Sequence, residues 1–311
     1  MFVLAFLERP SASQIQEAQQ STMTDEDTRS RLKRAVNNLD SLPAMPVIAQ
    51  KLLALPLDTE KGEEELLKLV GQDPQIYAKL IGMANSPIMG VTRKVNSVQD
   101  ASMLLGLTRV KSVALGIASM SNLSRLAPGK HFNPQDLWLH CMTVAMVMRT
   151  ISQYIPKAIR TNEDQIFLAG LLHDIGFMAL HHIDAAASDE LHHQLAMQPE
   201  RPVLEIELET LGITHCFIGA QLAKHWNLPL EIIGAIGYHH PPYVEEVSAQ
   251  NPLVRLVNLA EKVLPDFGMA EHTGGDIQKH EWTELGIELA DVDEICEMTN
   301  ELAVQAAQMS V

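Results

Sequence analysis

Apolar residues recur at spacings of three and four along almost the whole chain after residue 30, which is typical of helices with one buried face. Runs in which apolar and polar residues alternate, the pattern of a half-buried strand, are almost absent. The chain is therefore predicted to be all-α, with many helices around a common core. The predicted helices cover residues 44–55, 62–71, 75–84, 98–106, 108–120, 134–155, 163–181, 213–226, 229–238, 252–264 and 288–308.

Two of these helices begin with the same signal, a capping residue followed by proline. Asp73 and Asn133 each precede a proline, which lacks the N–H that the first helical residue would leave unpaired. Asp136 falls in the first turn of the second helix, where a carboxylate stabilises the start of its own helix. Asn85, with Pro87 two residues later, marks a helix end.

The composition along the chain suggests three parts. Residues 1–30 are rich in polar and acidic side chains after a short apolar start, and are predicted to form a flexible lead-in. A stretch rich in Ser, Asn, Pro and Gly at 119–133 indicates a seam between two helical parts. The predicted division is an N-terminal helical subdomain over 31–122 and a larger helical part with the candidate metal site over 123–311.

The charge balance narrows the class of partner. The chain has 39 acidic and 23 basic residues among 311, a net charge of -16. Such a surface repels nucleic acid unless its basic residues cluster, and Arg93-Lys94 and Arg109 with Lys111 form only short basic spots. A nucleic-acid partner is therefore not expected, and the acidic surface favours a protein or a small ligand.

The three cysteines favour a reducing compartment, because their number is odd and their spacing wide. Cys141 follows His140 and Cys216 follows His215, but neighbours on a helix point about 100° apart, so neither pair is expected to share one ion. No stretch approaches the roughly 18 apolar residues needed to cross a bilayer. The apolar start over 1–7 is too short for a signal peptide. A cytoplasmic protein with no membrane partner is predicted.

The pair His173-Asp174 is the main candidate for a functional site. It lies in an apolar run, and two adjacent polar side chains are not expected in an ordinary hydrophobic core. An imidazole nitrogen binds one ion, and the two oxygens of a carboxylate can bridge two ions, as a two-metal phosphoester hydrolase requires. Small residues at Ala169, Gly170 and Gly176 would let other helices approach closely. The alternative is a buried ion pair, which is costly without further partners.

Further candidate ligands lie on separate helices, each with an ordinary alternative. His140 could be a core histidine bonded to a carbonyl, and His215 could be exposed at its helix start. His239 and His240 could interact with a helix C-terminus as cations, and Glu261 could face solvent. The candidate metal ligands are His140, His173, Asp174, His215, His239, His240 and Glu261, of which His173 and Asp174 are also the candidate catalytic residues.

Two more histidine doublets, His181-His182 and His192-His193, have polar and charged neighbours in the sequence. Both doublets are predicted to be exposed to solvent and to have no part in the site.

The order of the candidate ligands resembles that of the HD superfamily of metal-dependent phosphohydrolases. The N-terminal motifs narrow this resemblance to the bacterial HDOD family (HD-related output domain), whose pattern runs Leu-Pro-x-x-Pro, Asp-Pro, Asn-Ser, Leu-Gly and Leu-Trp-x-His. Between residues 38 and 265 the chain carries Leu42-Pro43-Ala44-Met45-Pro46, Asp73-Pro74, Asn85-Ser86, Leu105-Gly106 and Leu137-Trp138-Leu139-His140.

The resemblance implies an HD-like all-α cytoplasmic module of bacterial signalling, often a regulator or an output. It also implies that the candidate ligands occupy the family's metal positions, with Glu261 where an aspartate is usual. The related HD-GYP cyclic-dinucleotide phosphodiesterases carry a lysine where Phe177 stands and a Gly-Tyr-Pro segment where Pro241-Pro242-Tyr243 stands. Hydrolysis of cyclic di-GMP is therefore disfavoured.

Three functions stay open on the sequence. The favoured one is a signalling module that keeps a metal site and acts through a signalling protein partner or a small phosphorylated ligand. The second is a metal-dependent phosphohydrolase acting on a nucleotide or another phosphoester, although no lysine or arginine beside the motifs is placed to hold a phosphate. The third is a structural metal clip. The mixed nitrogen and oxygen ligands suit one or two ions of Fe, Mn, Ni or Zn about equally.

Overall fold

The computed structural model describes residues 27–38, 41–85, 94–121, 123–264 and 276–308. Over these residues the chain is helical and contains no strand, so the all-α prediction is confirmed. The helices are α1 (27–37), α2 (Val47–Ala54), α3 (Glu60–Gln72), α4 (Pro74–Ala84), α5 (Val98–Leu105), α6 (Leu107–Ser121), α7 (Pro134–Ser152), α8 (Glu163–Leu172), α9 (Ile175–Ile183), α10 (Ala185–Met197), α11 (Val203–Thr210), α12 (His215–His225), α13 (Leu230–Tyr238), α14 (Tyr243–Val247), α15 (Pro252–Val263), α16 (Lys279–Glu284) and α17 (Val292–Gln308).

The helix predicted over 163–181 is two helices, α8 and α9. The backbone turns between them at His173 and Asp174, and Asp174 has φ -102° and ψ 15°, outside the helical region. The sequence pattern also does not predict α1, α10, α11, α14 and α16. The first residues of α1, over 27–30, fall in the stretch predicted as a flexible lead-in.

In the N-terminal half, helices α2 to α5 pack against α6, and the motif residues shape the connections between them. The side chain of Asp73 caps α4, as predicted, by accepting hydrogen bonds from two backbone N–H groups. Asn85 ends α4 and bonds both the carbonyl and the N–H of Val95 at 2.7 Å. Gly106 has φ 83°, which glycine adopts most readily, at the 118° bend between α5 and α6. The Trp226 indole donates to the Pro43 carbonyl at 2.9 Å.

In the second half, α8 lies at the centre and contacts α6, α7, α13 and α15. Two glycines permit the closest approaches. A Cβ atom on Gly170 would overlap the backbone of Ala145 in α7, and one on Gly176 would overlap the carbonyl oxygen of His215 in α12. The prediction that small residues at these positions let other helices approach is confirmed for both glycines. These contacts bring α7, the α8–α9 turn and α12 side by side.

The buried apolar side chains form one continuous cluster, which runs from Leu32 in α1 to Ala303 in α17. This cluster crosses the seam predicted near residue 122 without interruption, because α6 packs against helices on both sides of it. The division into parts over 1–30, 31–122 and 123–311 therefore stays a prediction, and residues 1–26 lie outside the described residues.

One described segment, Glu163–Ile183, is long and apolar enough to pass as a membrane span by length and composition, which the sequence analysis does not predict. The backbone turns inside this segment, at residues 173 and 174. In addition, 89% of its most apolar stretch of 18 residues is buried inside the protein. A core helix of a folded domain passes the same test, and packing on four sides accounts for the apolar character of α8.

Candidate metal centre

The candidate ligands come from α7, the α8–α9 turn, α12, the end of α13 and α15, and the fold brings all of them together. Their side chains are almost completely enclosed, since each residue is between 0% and 8% exposed. The alternatives of solvent exposure for His215 and Glu261 are therefore wrong. The converging residues are His140, His173, Asp174, His215, His239, His240 and Glu261.

Asp174 lies at the centre of the cluster and divides it in two. Its Oδ2 atom is 3.3 Å from Nε2 of His140 and 3.0 Å from Nε2 of His173. Its Oδ1 atom is 3.4 Å from Nε2 of His215 and 3.4 Å from Nε2 of His239. We call His140 and His173 the first histidine group, and His215 and His239 the second. One carboxylate thus faces two separate pairs of imidazole nitrogens.

Glu261 adds a second carboxylate from α15. Its Oε1 atom lies 3.2 Å from Nε2 of His173, in the first histidine group. One ligand atom each from Asp174, His239, His240 and Glu261 also lie within 4.8 Å of one another. The glutamate side chain, one methylene longer than the aspartate of the family pattern, therefore reaches the cluster.

Backbone carbonyls fix the orientation of two of the rings. Nδ1 of His173 lies 2.8 Å from the carbonyl oxygen of Gly170, and Nδ1 of His239 lies 3.0 Å from that of Ile236. A carbonyl oxygen only accepts, so each Nδ1 carries the hydrogen and each Nε2 faces Asp174. Hydrogen bonds of this kind orient metal-binding histidines in proteins.

Glu207 orients His215 in the same way, and sequence reasoning missed it. The residue is fully buried in α11. Its Oε1 atom lies 2.7 Å from Nδ1 of His215, and its Oε2 atom accepts from the backbone N–H of His215 at 3.1 Å. One carboxylate therefore holds both the ring and the backbone of this residue. The signal available in the sequence is an acid between Ile206 and Leu208, eight residues before His215.

Cys216 also lies in the cluster, and its thiol lies closer to the imidazole of His215 than the angular separation of helix neighbours suggests. Its Sγ atom is 3.3 Å from Nε2 of His215 and 3.9 Å from Nδ1 of His239. His215 and Cys216 are the first two residues of α12. Because Cα–Cβ bonds tilt toward the helix N-terminus, their side chains meet beyond the helix start despite their angular separation.

Burial and opposite charges act against each other at the cluster. Burial would lower the pKa of His173, but Asp174 and Glu261 beside it raise that pKa to about 9. Burial would raise the pKa of Glu261, but His240 and His173 hold it at about 2. The pKa of Asp174 lies well below its usual range, because His173 outweighs the effect of burial. The carboxylates are therefore ionised, and they favour the protonated form of the His173 imidazole.

The chemistry of the donor atoms fits a divalent cation. Both nitrogens of His140 and both oxygens of Asp174 are buried without a well-aligned hydrogen bond in the described structure. Buried polar atoms in this state cost free energy. Imidazole nitrogens and carboxylate oxygens are ligands of transition metals, and a cation between them would pair these atoms. The buried histidine and carboxylate group therefore indicates a metal site.

The profile of the HDOD domain family matches residues 42–242, about two thirds of the chain. This chain belongs to the HDOD family. The matched residues include every candidate ligand except Glu261, which lies beyond them.

Three relatives of this HDOD protein show how far the similarity extends. An uncharacterized protein of Treponema pallidum (strain Nichols) is 24% identical over 242 residues, 75% of this chain and 44% of the relative. A Marinobacter aquaeolei VT8 crystal structure described as a "Putative signal transduction protein" is 25% identical, with a TM-score of 0.68, and the match covers 92% of this chain and 66% of that one. An HDOD domain protein of unknown function from Geobacter sulfurreducens has a TM-score of 0.65 at 23% identity, covering 90% and 99%. The chain thus spans less than half the length of the Treponema relative.

This HDOD protein has an aromatic ring where the HD-GYP enzymes carry a lysine. The ring of Phe177 stacks on that of His215, with centroids 4.1 Å apart and planes 17° from parallel. Phe177 is fully buried. An apolar ring rather than an ammonium group therefore borders the second histidine group at this place.

One histidine of each further doublet is buried, so the prediction of exposure is wrong for His181 and His192 and confirmed for His182. His181 and His192 are 4% and 2% exposed, and their rings flank Phe132 at centroid distances of 4.9 and 4.4 Å. His182 is exposed and His193 partly exposed. Adjacent helix positions face different directions, so polar neighbours in the sequence do not exclude burial of one member. Burial lowers the pKa of His192 to about 4.

Proposed function

We propose that this HDOD protein is a cytoplasmic signalling or regulatory protein that holds a metal centre and acts through a protein partner or a small phosphorylated ligand. The observation that carries this proposal is the enclosure of a full ligand set. The candidate ligands converge on Asp174, yet each is at most 8% exposed, so they present little surface to a substrate among the described residues. A cation there would link five helical segments of the core. Such links are expected of a metal centre that regulates or stabilises the fold.

The net charge of the chain and its similarity to a known protein support the same functional class, a signalling or regulatory protein. The net charge of -16 favours a protein or a small ligand over nucleic acid. Phe177 borders the cluster at the place where a phosphodiesterase would offer a cation to a phosphate. The Marinobacter protein described as acting in signal transduction is 25% identical over 92% of this chain. None of the three cysteines forms a disulfide, which fits the cytoplasm.

The first test is elemental analysis of protein purified without a chelator or a histidine tag, beside an Asp174→Asn variant. We expect one or two transition-metal ions per chain in the wild type and a loss of metal in the variant. We also expect no turnover of nucleotides or phosphodiesters when Mn, Fe, Ni, Co or Mg is supplied. Absence of metal in both proteins after reconstitution would contradict the metal centre. In the source organism, full complementation of a deletion by Asp174→Asn would place the regulatory function elsewhere.

A second candidate is a phosphohydrolase acting on a nucleotide or another phosphoester, and one observation favours it. The two oxygens of Asp174 face two different pairs of imidazoles, as a carboxylate that bridges two ions would. Bound ions would supply Lewis-acid activation of water and phosphate. In this chain His173 and Asp174 would be the catalytic residues, and the enclosed cluster would have to open. Turnover that Asp174→Asn abolishes would favour this function over the regulatory one.

A further inference from the structure

We infer that Cys216 is itself a metal ligand, and that its thiolate joins the second histidine group around one ion. This inference rests on the proposed metal centre and adds a sulfur donor to a ligand set that otherwise consists of nitrogen and oxygen. It follows that the two sides of the cluster prefer different ions.

The ligand atoms of His215, Cys216, His239 and His240 all lie within 4.8 Å of one another, close enough to share a single ion. Nε2 of His215 and Nε2 of His239 lie 3.3 Å apart, and Sγ of Cys216 lies 3.3 Å from Nε2 of His215. Oδ1 of Asp174 lies 3.4 Å from each of these nitrogens. Ligand atoms at roughly 2.0–2.3 Å from a tetrahedral zinc ion are separated by about 3.3–3.6 Å. The separation of the two imidazoles and that of the thiol from His215 therefore both match edges of such a tetrahedron.

A second, independent observation points to a ligand at the same place. Oδ1 of Asp174 is fully buried and makes no well-aligned hydrogen bond in the described structure. It faces both imidazoles of the second histidine group, and Cys216 lies against one of them. A thiol that only filled space in the core would lie among apolar side chains. This thiol instead lies beside the nitrogens of two imidazoles, both of which face the buried carboxylate of Asp174.

The other side of the cluster has no sulfur among its described donors, although a cysteine is available in the sequence. One ligand atom each from His140, His173, Asp174 and Glu261 lie within 4.8 Å of one another and form a set of nitrogen and oxygen only. Cys141 follows His140 in α7 as Cys216 follows His215 in α12. Cys141 is therefore a matched control for the effect of removing a buried thiol beside a ligand.

Different donors select different ions. Thiolate and imidazole ligands favour zinc, cobalt and other thiophilic ions, whereas carboxylate-rich sets favour harder ions such as manganese. The position beside Cys216 should therefore retain zinc or cobalt more tightly than the position beside Glu261.

The test uses the full chain, stripped with a chelator and reconstituted with Co(II). We expect a sulfur-to-cobalt charge-transfer absorption in the near ultraviolet for the wild type and for Cys141→Ser. We expect Cys216→Ser to lose this absorption while it still binds cobalt through the remaining ligands. If the absorption persists in Cys216→Ser, or disappears in Cys141→Ser instead, the inference is wrong.

A measurement on the wild type alone avoids dependence on the folding of a variant. X-ray absorption on the zinc-loaded protein should show one sulfur neighbour at about 2.3 Å besides nitrogen and oxygen at about 2.0–2.1 Å. Bound zinc with nitrogen and oxygen neighbours only would refute the role of Cys216 and leave the proposed metal centre intact. Failure of the stripped protein to bind either metal would refute both.

Discussion

Glu207 shows what a single side chain adds to this site, because it holds His215 without facing the centre of the cluster. Glutamine at this position would place an amide N–H₂ against one of the two donors of His215, its Nδ1–H or its backbone N–H. For Glu207→Gln we therefore expect metal affinity roughly 10–100-fold weaker. Competition with a chromophoric chelator measures this change.

The matched control is Glu209→Gln in the same helix. The side chain of Glu209 is 65% exposed and pairs with Arg201 at the surface, so its loss should change stability by no more than about 0.5 kcal/mol and leave metal affinity unchanged. Equal metal affinities in the two variants would show that Glu207 does not position the ligand.

His192 predicts a pH dependence that is separate from metal binding. Its ordinary pKa is 6.5, and burial lowers that pKa to about 4 in the folded protein. Between these values the unfolded chain binds more protons than the folded one, so stability falls as the pH falls from 6.5 toward 4, by up to about 3 kcal/mol. His192→Leu should flatten this acid slope of the free energy of unfolding. Urea titrations of chelator-treated protein at several pH values measure it, and an unchanged slope would contradict the prediction.

At the residue scale, the sequence located the ligands but not the groups around them. His140, His173 and Asp174 could be found because polar side chains in apolar helices need partners. Glu207 could not be found, because what marks it is a three-dimensional contact between helices, and an isolated acid has several ordinary explanations. Cys216 stands out beside His215 in the sequence, but the angular separation of helix neighbours argues against a shared ion, and only the folded structure shows how close the two side chains lie. The burial of His192 was missed for a related reason, since polar neighbours in sequence hid a residue on the inner face of its helix.

At the scale of helices, the apolar periodicity predicted the main elements. It did not predict the break between α8 and α9 at Asp174. Asp174 occupies the N-cap position of α9, where aspartate usually bonds the first backbone N–H groups, but its side chain makes no such bond. The carboxylate is directed to the imidazoles instead. The apolar pattern continues through the turn on both sides, so periodicity alone indicates one helix where the metal site requires two.

The close contact between α9 and α12 depends on the missing side chain of Gly176. Adding a single methyl group at this position should therefore affect both stability and metal binding. In Gly176→Ala the new Cβ atom would overlap the carbonyl oxygen of His215 and force the two helix starts apart. We expect a loss of about 1–3 kcal/mol in the free energy of unfolding and weaker metal binding, because His215 is a candidate ligand. Urea denaturation and chelator competition measure the two effects.

Gly82 provides the control for this substitution. It lies on the exposed face of α4, and a Cβ atom there would meet nothing within 4 Å. Gly82→Ala should therefore be neutral or stabilising by about 0.5–1 kcal/mol, through helix propensity alone. If Gly176→Ala behaved like Gly82→Ala, the close approach of α9 and α12 would not be what places His215.

At the scale of the whole molecule, the metal centre and the hydrophobic core stabilise the same arrangement. The ligands come from segments between α7 and α15 that also build the continuous core, so a bound cation adds links between helices that already pack together. Without a cation, the carboxylates of Asp174 and Glu261 face the imidazole of His173, whose pKa they raise to about 9. Metal binding should therefore stabilise the entire fold.

This coupling predicts that a chelator lowers the melting temperature of the wild type. A ligand present at a thousand times its dissociation constant stabilises the folded state by about 4 kcal/mol. For a protein of this size that corresponds to a shift of on the order of 10 °C. Asp174→Asn, which loses the carboxylate between the two histidine groups, should melt at the same temperature with and without chelator. Scanning calorimetry with and without EDTA measures both proteins. An equal shift in both would mean that the chelator acts somewhere other than the Asp174 cluster, and no shift in either would mean that the cluster contributes nothing to the stability of the fold.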